Sequence, residues 1–418
     1  KILEMTTKRQ SIIKKHTRYA GKTLAVIILI FLAAVIATSY SPVYDFRTPT
    51  PFSGPDIFNP YADLDTANRW KRANFHTHTR VKGPIPPNEC KYWPDETDAA
   101  YRKLGYDIVT FSNHNELTRH PYDSTLQVNV YEHGYNIFKY HKLVFGAEKV
   151  NPFDHLLPLI ASQKQFQLDL LGKDADFIQM NHPARTVGTC KSHFQQLEGF
   201  RIMELDAGKT TENEYWDWSL SAGHYTFGLA NDDLHYPDRT RKIARRCNFL
   251  AVPTGRYEDL KNVLLTGGYY SMRIPDYGNG DWEVKYEANR HLPSVKEIGM
   301  RDDGTIFIDL DRQADSIKVT GQDHATLAIA TDTDSLRYTM KPTDPYARIT
   351  AYFPAGEVIY SNPFARYDSS KATSPYVEPS HTVNVPLTIL FNLLVTLLLI
   401  GDIYLIWRLV RRRRSSVK

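Results

Sequence analysis

The sequence predicts an α/β chain, a distorted seven-stranded (β/α) barrel with a small C-terminal antiparallel β domain, held between two transmembrane helices. Three observations predict it. Two long stretches are almost free of charge, seven short apolar runs alternate with helical stretches over residues 73–275, and after about Pro275 short alternating runs are parted by turn residues.

The ends come first. The 418 residues carry a formal net charge of +4, but residues 1–22 hold seven Lys/Arg and one Glu, and residues 408–418 hold six basic residues and no acid. The part between keeps 38 of the 51 Lys/Arg against 46 of the 47 Asp/Glu, so it is acidic. That distribution excludes a basic nucleic-acid footprint. Just inside the basic ends lie Thr23–Tyr40, 18 residues without a charge, and Val385–Trp407, 23 residues with one acid, Asp402. Each is long enough to cross a hydrocarbon core of about 30 Å as a helix. The first also admits a cleaved signal peptide, with Ala37-Thr38-Ser39 as a tolerable site, or a buried core helix; its length exceeds the usual apolar region of about 7–15 residues. The basic flanks predict both termini in the cytoplasm and the intervening residues on the far side, the periplasm of a bacterium whose inner membrane holds the chain. Cys90, Cys190 and Cys247 are too few for a disulfide framework.

Residues 41–72 read as a linker, Pro-rich over 41–60, and 367–384 as a polar linker back to the membrane. As flexible coils of 32 and 18 residues they would average about 23–34 Å end to end, which keeps the body near its bilayer. Between them the apolar runs are ANFHTH (73–78), DIVTFSNH (107–114), KLVFGAE (142–148), DFIQMNH (176–182), RIMELD (201–206), YTFGLAND (225–232) and NFLAVP (248–253). Helices are expected near 96–104, 162–171, 212–222 and 256–266. Seven strands are few for an eight-stranded barrel and suit a distorted relative of one. Polar residues gather at the C-terminal ends of the runs, where such barrels place their chemistry. The β domain is expected over 276–366, from TIFIDLD (305–311), SIKV, LAIA, LRYTM, YARITAYF and VIYSNP.

Eleven of the fifteen histidines fall between His76 and His235. His76, His78, His114, His182 and His235 stand at predicted strand ends, with Glu148 ending VFGAE, Asp233 two before His235, and His155 seven after Glu148. Imidazoles with one or two carboxylates suit Zn²⁺, Mn²⁺ or Fe²⁺. A lone His-x-His is a weak signal; the set together predicts a shared metal cluster. The segment Arg119–Lys142, with His120, His133 and His141, lies between two runs and reads as a lid, a substrate loop or a structural insertion, with no ligands assigned from it.

NFHTHT, YDIVTFSNHN, VFGAE with a downstream His, NHP and NDDLH occur in the order of the motifs of the PHP (polymerase and histidinol phosphatase) family, which the chain resembles over about 73–275. The segment ending in YSNP resembles the C-terminal extension of a PHP subgroup. The resemblance implies a barrel of PHP type that binds two or three divalent ions and hydrolyses phosphoesters with a metal-bridged hydroxide. It implies that His76, His78, Glu148 and Asp233 hold one ion, that Glu148 bridges to a second, and that His114, His155, His182 and His235 fill the other positions. The chain departs from the pattern at Lys82, where relatives carry an acid or histidine, and at Asn113, where they carry Asp. Both changes remove negative charge. Arg185, Lys149 and Lys82 are the expected phosphate partners, with surface salt bridges or an exposed loop as the plainer reading of each. The expected activity is a membrane-anchored phosphoesterase whose substrates are lipid-linked or membrane-proximal. A non-catalytic scaffold of an envelope complex, and a hydrolase of other esters or amides, are the alternatives.

Overall fold

The computed structural model describes residues 2–64, 70–81, 90–206 and 212–414, in two units. The first comprises Lys1–Asp45, Asp154–Phe166 and Thr382–Lys418. It holds two long helices, α1 (Ile2–Ala37) and the C-terminal helix (Val385–Arg414). Tyr19–Ala37 and Val385–Arg411 are long and apolar enough to cross a membrane, with mean hydropathies of 2.5 and 2.3. Polar residues fasten the two together where α1 ends. The Asn392 side chain accepts from Ser41 N–H (3.3 Å) and donates to Ser41 O (3.1 Å), and Tyr40 Oη meets Thr396 Oγ1 at 2.9 Å. A two-residue antiparallel ladder follows, β1 (Tyr44–Asp45) against Thr382–Val383.

The second unit, Phe46–Phe153 and Gln167–His381, contains β2 (Asp56–Phe58) to β17 (Phe364–Tyr367). Its first half runs β3 (Lys71–Asn74), α2 (Pro94–Lys103), β4 (Ile108–Val109), β5 (Val130–His133), β6 (Lys142–Phe145) and β7 (Phe177–Met180). It continues through β8 (Ile202–Glu204), α5 (Glu214–Ser221), β9 (Phe227–Leu229), β10 (Arg246–Leu250), α6 (Tyr257–Thr266) and β11 (Tyr269–Arg273). Strands β5–β9 are buried at every position, the pattern of strands covered on both faces.

The chain is therefore mixed α/β, but its sheets do not close. Among the described residues the strands form an open five-stranded sheet, β5-β6-β7-β8-β9, and an eleven-stranded one whose path is β12-β13-β15-β16-β11-β10-β3-β4, with β12 (Val295–Met300), β13 (Thr305–Thr320), β15 (Tyr346–Tyr352) and β16 (Val358–Ser361). Pairing is parallel at β3–β4, β7–β8 and β8–β9 and antiparallel at β5–β6, β6–β7 and β10–β3. Among the described residues the backbone bridges between the two sheets are single parallel ones, Thr77 with Leu234 and His114 with Glu132. A closed ladder fails there because Phe75–Thr79 and Thr110–His114 leave regular pairing soon after two- and four-residue strands.

The strands after Pro275 continue the larger sheet, since β16 pairs with β11 (Tyr270 with Ser361, Met272 with Ile359). TIFIDLD and SIKV are one 16-residue strand, β13, bent where its register with β14 (Thr326–Thr339) shifts between Asp309 and Ala314. A buried ion pair ties this region to α5: Arg348 Nε and Nη2 meet Asp217 Oδ1 and Oδ2 at 2.9 and 2.6 Å. The segments read as linkers lie along this unit. Phe52 is buried edge-on against Tyr225, and β2 pairs with β17. Arg47 Nε reaches Glu198 Oε1 at 3.4 Å, while Glu198 Oε2 accepts from Ser380 N–H (2.8 Å), His381 N–H (3.0 Å) and His381 Nδ1 (3.0 Å).

Candidate metal centre

The edge of the two sheets where β3, β4, β7, β8 and β9 end carries the chemistry. His76 and His78 follow β3 two residues apart and share a face. Between them Thr77 turns away to bridge Leu234, and the His78 N–H donates to Leu234 O (2.8 Å). His114 follows β4, His182 follows β7, and Asp233 and His235 follow β9. The backbone is left-handed at His182 (φ 28°) and Asp233 (φ 50°), a conformation non-glycine residues keep only where surrounding structure imposes it.

At the centre stands a carboxylate that the sequence reading did not nominate. Glu132, 1% exposed, receives six nitrogens. His76 Nε2, His141 Nδ1 and His182 Nε2 lie 3.2 Å from its Oε1, with Asn181 Nδ2 at 2.9 Å. His78 Nε2 and His114 Nε2 lie 3.1 and 3.0 Å from Oε2. His78 Nε2 also meets Asp233 Oδ1 at 3.1 Å and His76 Nε2 at 3.3 Å. An oxygen with about two lone pairs cannot accept from four donors, and two imidazole nitrogens facing each other cannot both carry protons. Nitrogen lone pairs converging on shared carboxylates is the donor pattern of a metal site. His76, His78, Glu132 and Asp233 form one group that could hold an ion and His114, Glu132 and His141 another, with Glu132 common to both.

Glu204, at the end of β8, orients the set. Its Oε1 accepts from His76 Nδ1 (2.8 Å) and its Oε2 from the His182 N–H (2.6 Å), so His76 presents Nε2 to the centre. Burial alone would keep His76 neutral, but Glu132, Asp233 and Glu204 hold its pKa well above the ordinary value. His78 rises to about 9 against burial, through Asp233 and Glu132. Burial pushes His141 down to about 4, with Glu132 opposing, and burial with the neighbouring His78 pushes His235 to about 4. Glu132 itself stays well below the usual carboxylate range, because His114, His76 and His141 outweigh the effect of its burial.

The structure thus brings His76, His78, His114, His182, Asp233 and His235 together, with the His235 ring stacked on His78 at 4.3 Å. It does not bring Glu148 or His155 there. Strand β6 runs antiparallel to β7, Lys142 opposite Met180, so the end of β6 that meets the cluster is its N-terminal end. His141 enters there, and Glu132 enters from β5, antiparallel to β6. Glu148 and Lys149 leave at the opposite end, beyond a left-handed turn at Gly146, and are exposed. His155 belongs to the first unit, where its Nδ1 donates to Thr38 O and caps the end of α1. Arg185 does reach the cluster and binds Asp233 Oδ2. Lys82 lies outside the described residues. Asn113 fastens the loop after His78: its Oδ1 accepts from Thr79 N–H (2.7 Å) and its Nδ2 donates to Thr79 Oγ1 (2.8 Å) and Thr118 Oγ1 (2.7 Å).

No protein-family model matches the chain, and no curated protein matches it. Among solved structures, it has a distant likeness to a two-domain protein from Bacteroides vulgatus ATCC 8482 described as containing a predicted PHP-like metal-dependent phosphoesterase. The TM-score is 0.36 at 15% identity, over 76% of this chain and 100% of that one.

Proposed function

We propose that the protein is a membrane-anchored, metal-dependent phosphoesterase of the PHP kind, with its hydrolytic unit on the side of the membrane away from the basic termini. The observation that carries the reading is the convergence of five imidazoles on the buried Glu132. The donor set suits Zn²⁺, Mn²⁺ or Fe²⁺. Bound ions would lower the pKa of water and neutralise charge on phosphoryl oxygens. The chain's own residues do the rest. Glu204 fixes the His76 tautomer, and Asn181 holds Glu132 in place. Arg185, anchored on Asp233, offers its remaining N–H groups to an anionic oxygen beside the cluster. His235 donates from Nδ1 to the Asp233 carbonyl (3.0 Å), which fixes its tautomer beside the cluster. The same reading takes the bridges at Thr77 and His114 as the two seams of a seven-stranded ring, β3 to β9. The two apolar helices, each with a basic flank, support anchoring in a bacterial inner membrane with the body in the periplasm.

The full chain in nanodiscs, supplied with Mn²⁺ or Zn²⁺, should retain two or more ions per chain and hydrolyse 4-nitrophenyl phosphate. Folded protein that retains no ion, or that turns over no phosphoester when loaded, overturns the reading.

A further inference from the structure

Beside the cluster lies a cavity of about 360 Å³, at the small end of ligand sites, whose lining includes Asp233 and His235. Five cations and two carboxylates line it. Arg185 comes from the turn after His182; Arg241, Lys242 and Arg245 come from the segment joining β9 to β10, and Arg246 opens β10. Asp232, the first acid of the NDD sequence, sets the shape of this segment. Its Oδ2 accepts from the Ala244 N–H (2.7 Å) and Tyr101 Oη (2.8 Å), and its Oδ1 from the N–H groups of Arg245 (2.8 Å) and Arg246 (2.9 Å). Those bonds hold Ala244 in a left-handed turn (φ 50°), which aims the basic residues at the cavity.

The wall keeps uncancelled positive charge. Arg246 is pinned to Asp206 (3.1 Å) and Arg185 to Asp233, and Arg241 Nε has Asp276 at 3.4 Å. Arg245 is fixed in direction by neutral carbonyls, Ile274 O (3.0 Å) and Arg241 O (3.2 Å), and has Asp276 and the buried Asp232 as its neighbouring acids, so the five cations face four carboxylates. Lys242 is exposed and has no ion pair among the described residues. A cleft with excess charge of one sign concentrates ligands of the other. One phosphoryl group at the cluster has Arg185 beside it and leaves the Arg241–Arg245 wall unused.

We propose that the substrate carries a second anionic group, a phosphate or carboxylate on the part that departs or remains, bound by Arg241, Lys242 and Arg245 while its phosphoryl group lies at the cluster. This rests on the phosphoesterase reading above.

The test compares alkane-1,n-diol bisphosphates (n from 2 to 6) with the matched alkyl monophosphates on the metal-loaded full chain in nanodiscs. The ratio of kcat/KM, bisphosphate over monophosphate, should exceed ten at the best length, and should fall on the order of tenfold to a hundredfold in R241A/K242A, mostly through KM. Offering the preferred bisphosphate free in solution and as the headgroup of a dialkyl lipid in phosphatidylcholine vesicles separates a soluble substrate from a membrane-borne one. A ratio near one at every length, or a ratio unmoved by R241A/K242A, overturns the proposal. Loaded protein that hydrolyses neither ester sinks the phosphoesterase reading instead. Calorimetry with propane-1,3-bisphosphonate against propylphosphonate, on wild type and R241A/K242A, then decides the second-anion site by itself: equal affinities refute it.

Discussion

Replacing Glu132 with Gln keeps the shape of the central side chain and removes its charge. The substitution separates two arrangements of the site, one centred on Glu132 and one centred on Glu148. In the structure Glu132 is common to both candidate ion groups, while Glu148 is exposed beyond the far end of β6. Loss of an anionic oxygen shared by two groups should weaken ion binding at least as much as loss of an outer partner, which costs about 10–100-fold. An ion at a hundred times its Kd stabilises the folded chain by about 2.7 kcal/mol; if Kd rises a hundredfold, the same concentration gives only about 0.4 kcal/mol. The metal-induced rise in Tm should therefore almost vanish in E132Q and persist in E148Q. Differential scanning fluorimetry across a Mn²⁺ or Zn²⁺ series measures the shift, and elemental analysis of the same samples measures retained ions. Hydrolysis of 4-nitrophenyl phosphate should fall on the order of a thousandfold in E132Q alone. An E132Q chain with wild-type ion content and Tm shift, beside an E148Q chain that loses both, would refute the assignment.

Three further outcomes follow from other parts of the molecule. His381, raised to about 9 against burial by Asp169 and Glu198, contributes stability that is complete below its unfolded pKa near 6.5 and is lost as pH rises through 9. The fall in Tm between pH 6.5 and 9 should be shallower in H381N. Asp217→Ala strands the buried Arg348 guanidinium and should cost about 3–5 kcal/mol in denaturant unfolding, whereas D217L/R348M should recover most of it; a single-variant loss below about 1 kcal/mol would contradict the buried pairing. An alkaline-phosphatase fusion after Pro42 should be active and one after Val417 silent, and activity at the second site would overturn the two-span topology.

Much of the site is legible in the sequence, because a histidine at the end of an apolar run declares both its chemistry and its position. His76, His78, His114, His182, Asp233 and His235 fall in that class, each following a strand that ends at one common edge. Glu132 and His141 do not, because the inference assumed that every run points the same way. The β5–β6 hairpin reverses the direction locally, which moves the useful end of KLVF from Glu148 to His141 and hides Glu132 in VYEHG, a run too short and polar to read as a strand. The signal was available in the turn-rich stretch Gly134–Asn136 between two short runs, which marks a hairpin. Glu204 ends RIMELD in plain view, but a residue that acts through a histidine's far nitrogen has no spacing signature. The open sheets were less legible still, since alternation of strands and helices records order and leaves closure to the length of each ladder.

The bonds around Glu198 have a mechanical consequence. Arg47, near the start of the larger unit, and His381, at its end, are gripped by one carboxylate. A pull that parts Arg47 from His381 therefore loads this carboxylate. The strands that carry the cluster around Glu132 lie within the span so closed, and a pull applied at Arg47 and His381 meets this grip before it reaches them. Ends held this close also make the loop a candidate for being cut and rejoined elsewhere, with the old termini bridged by a short splice.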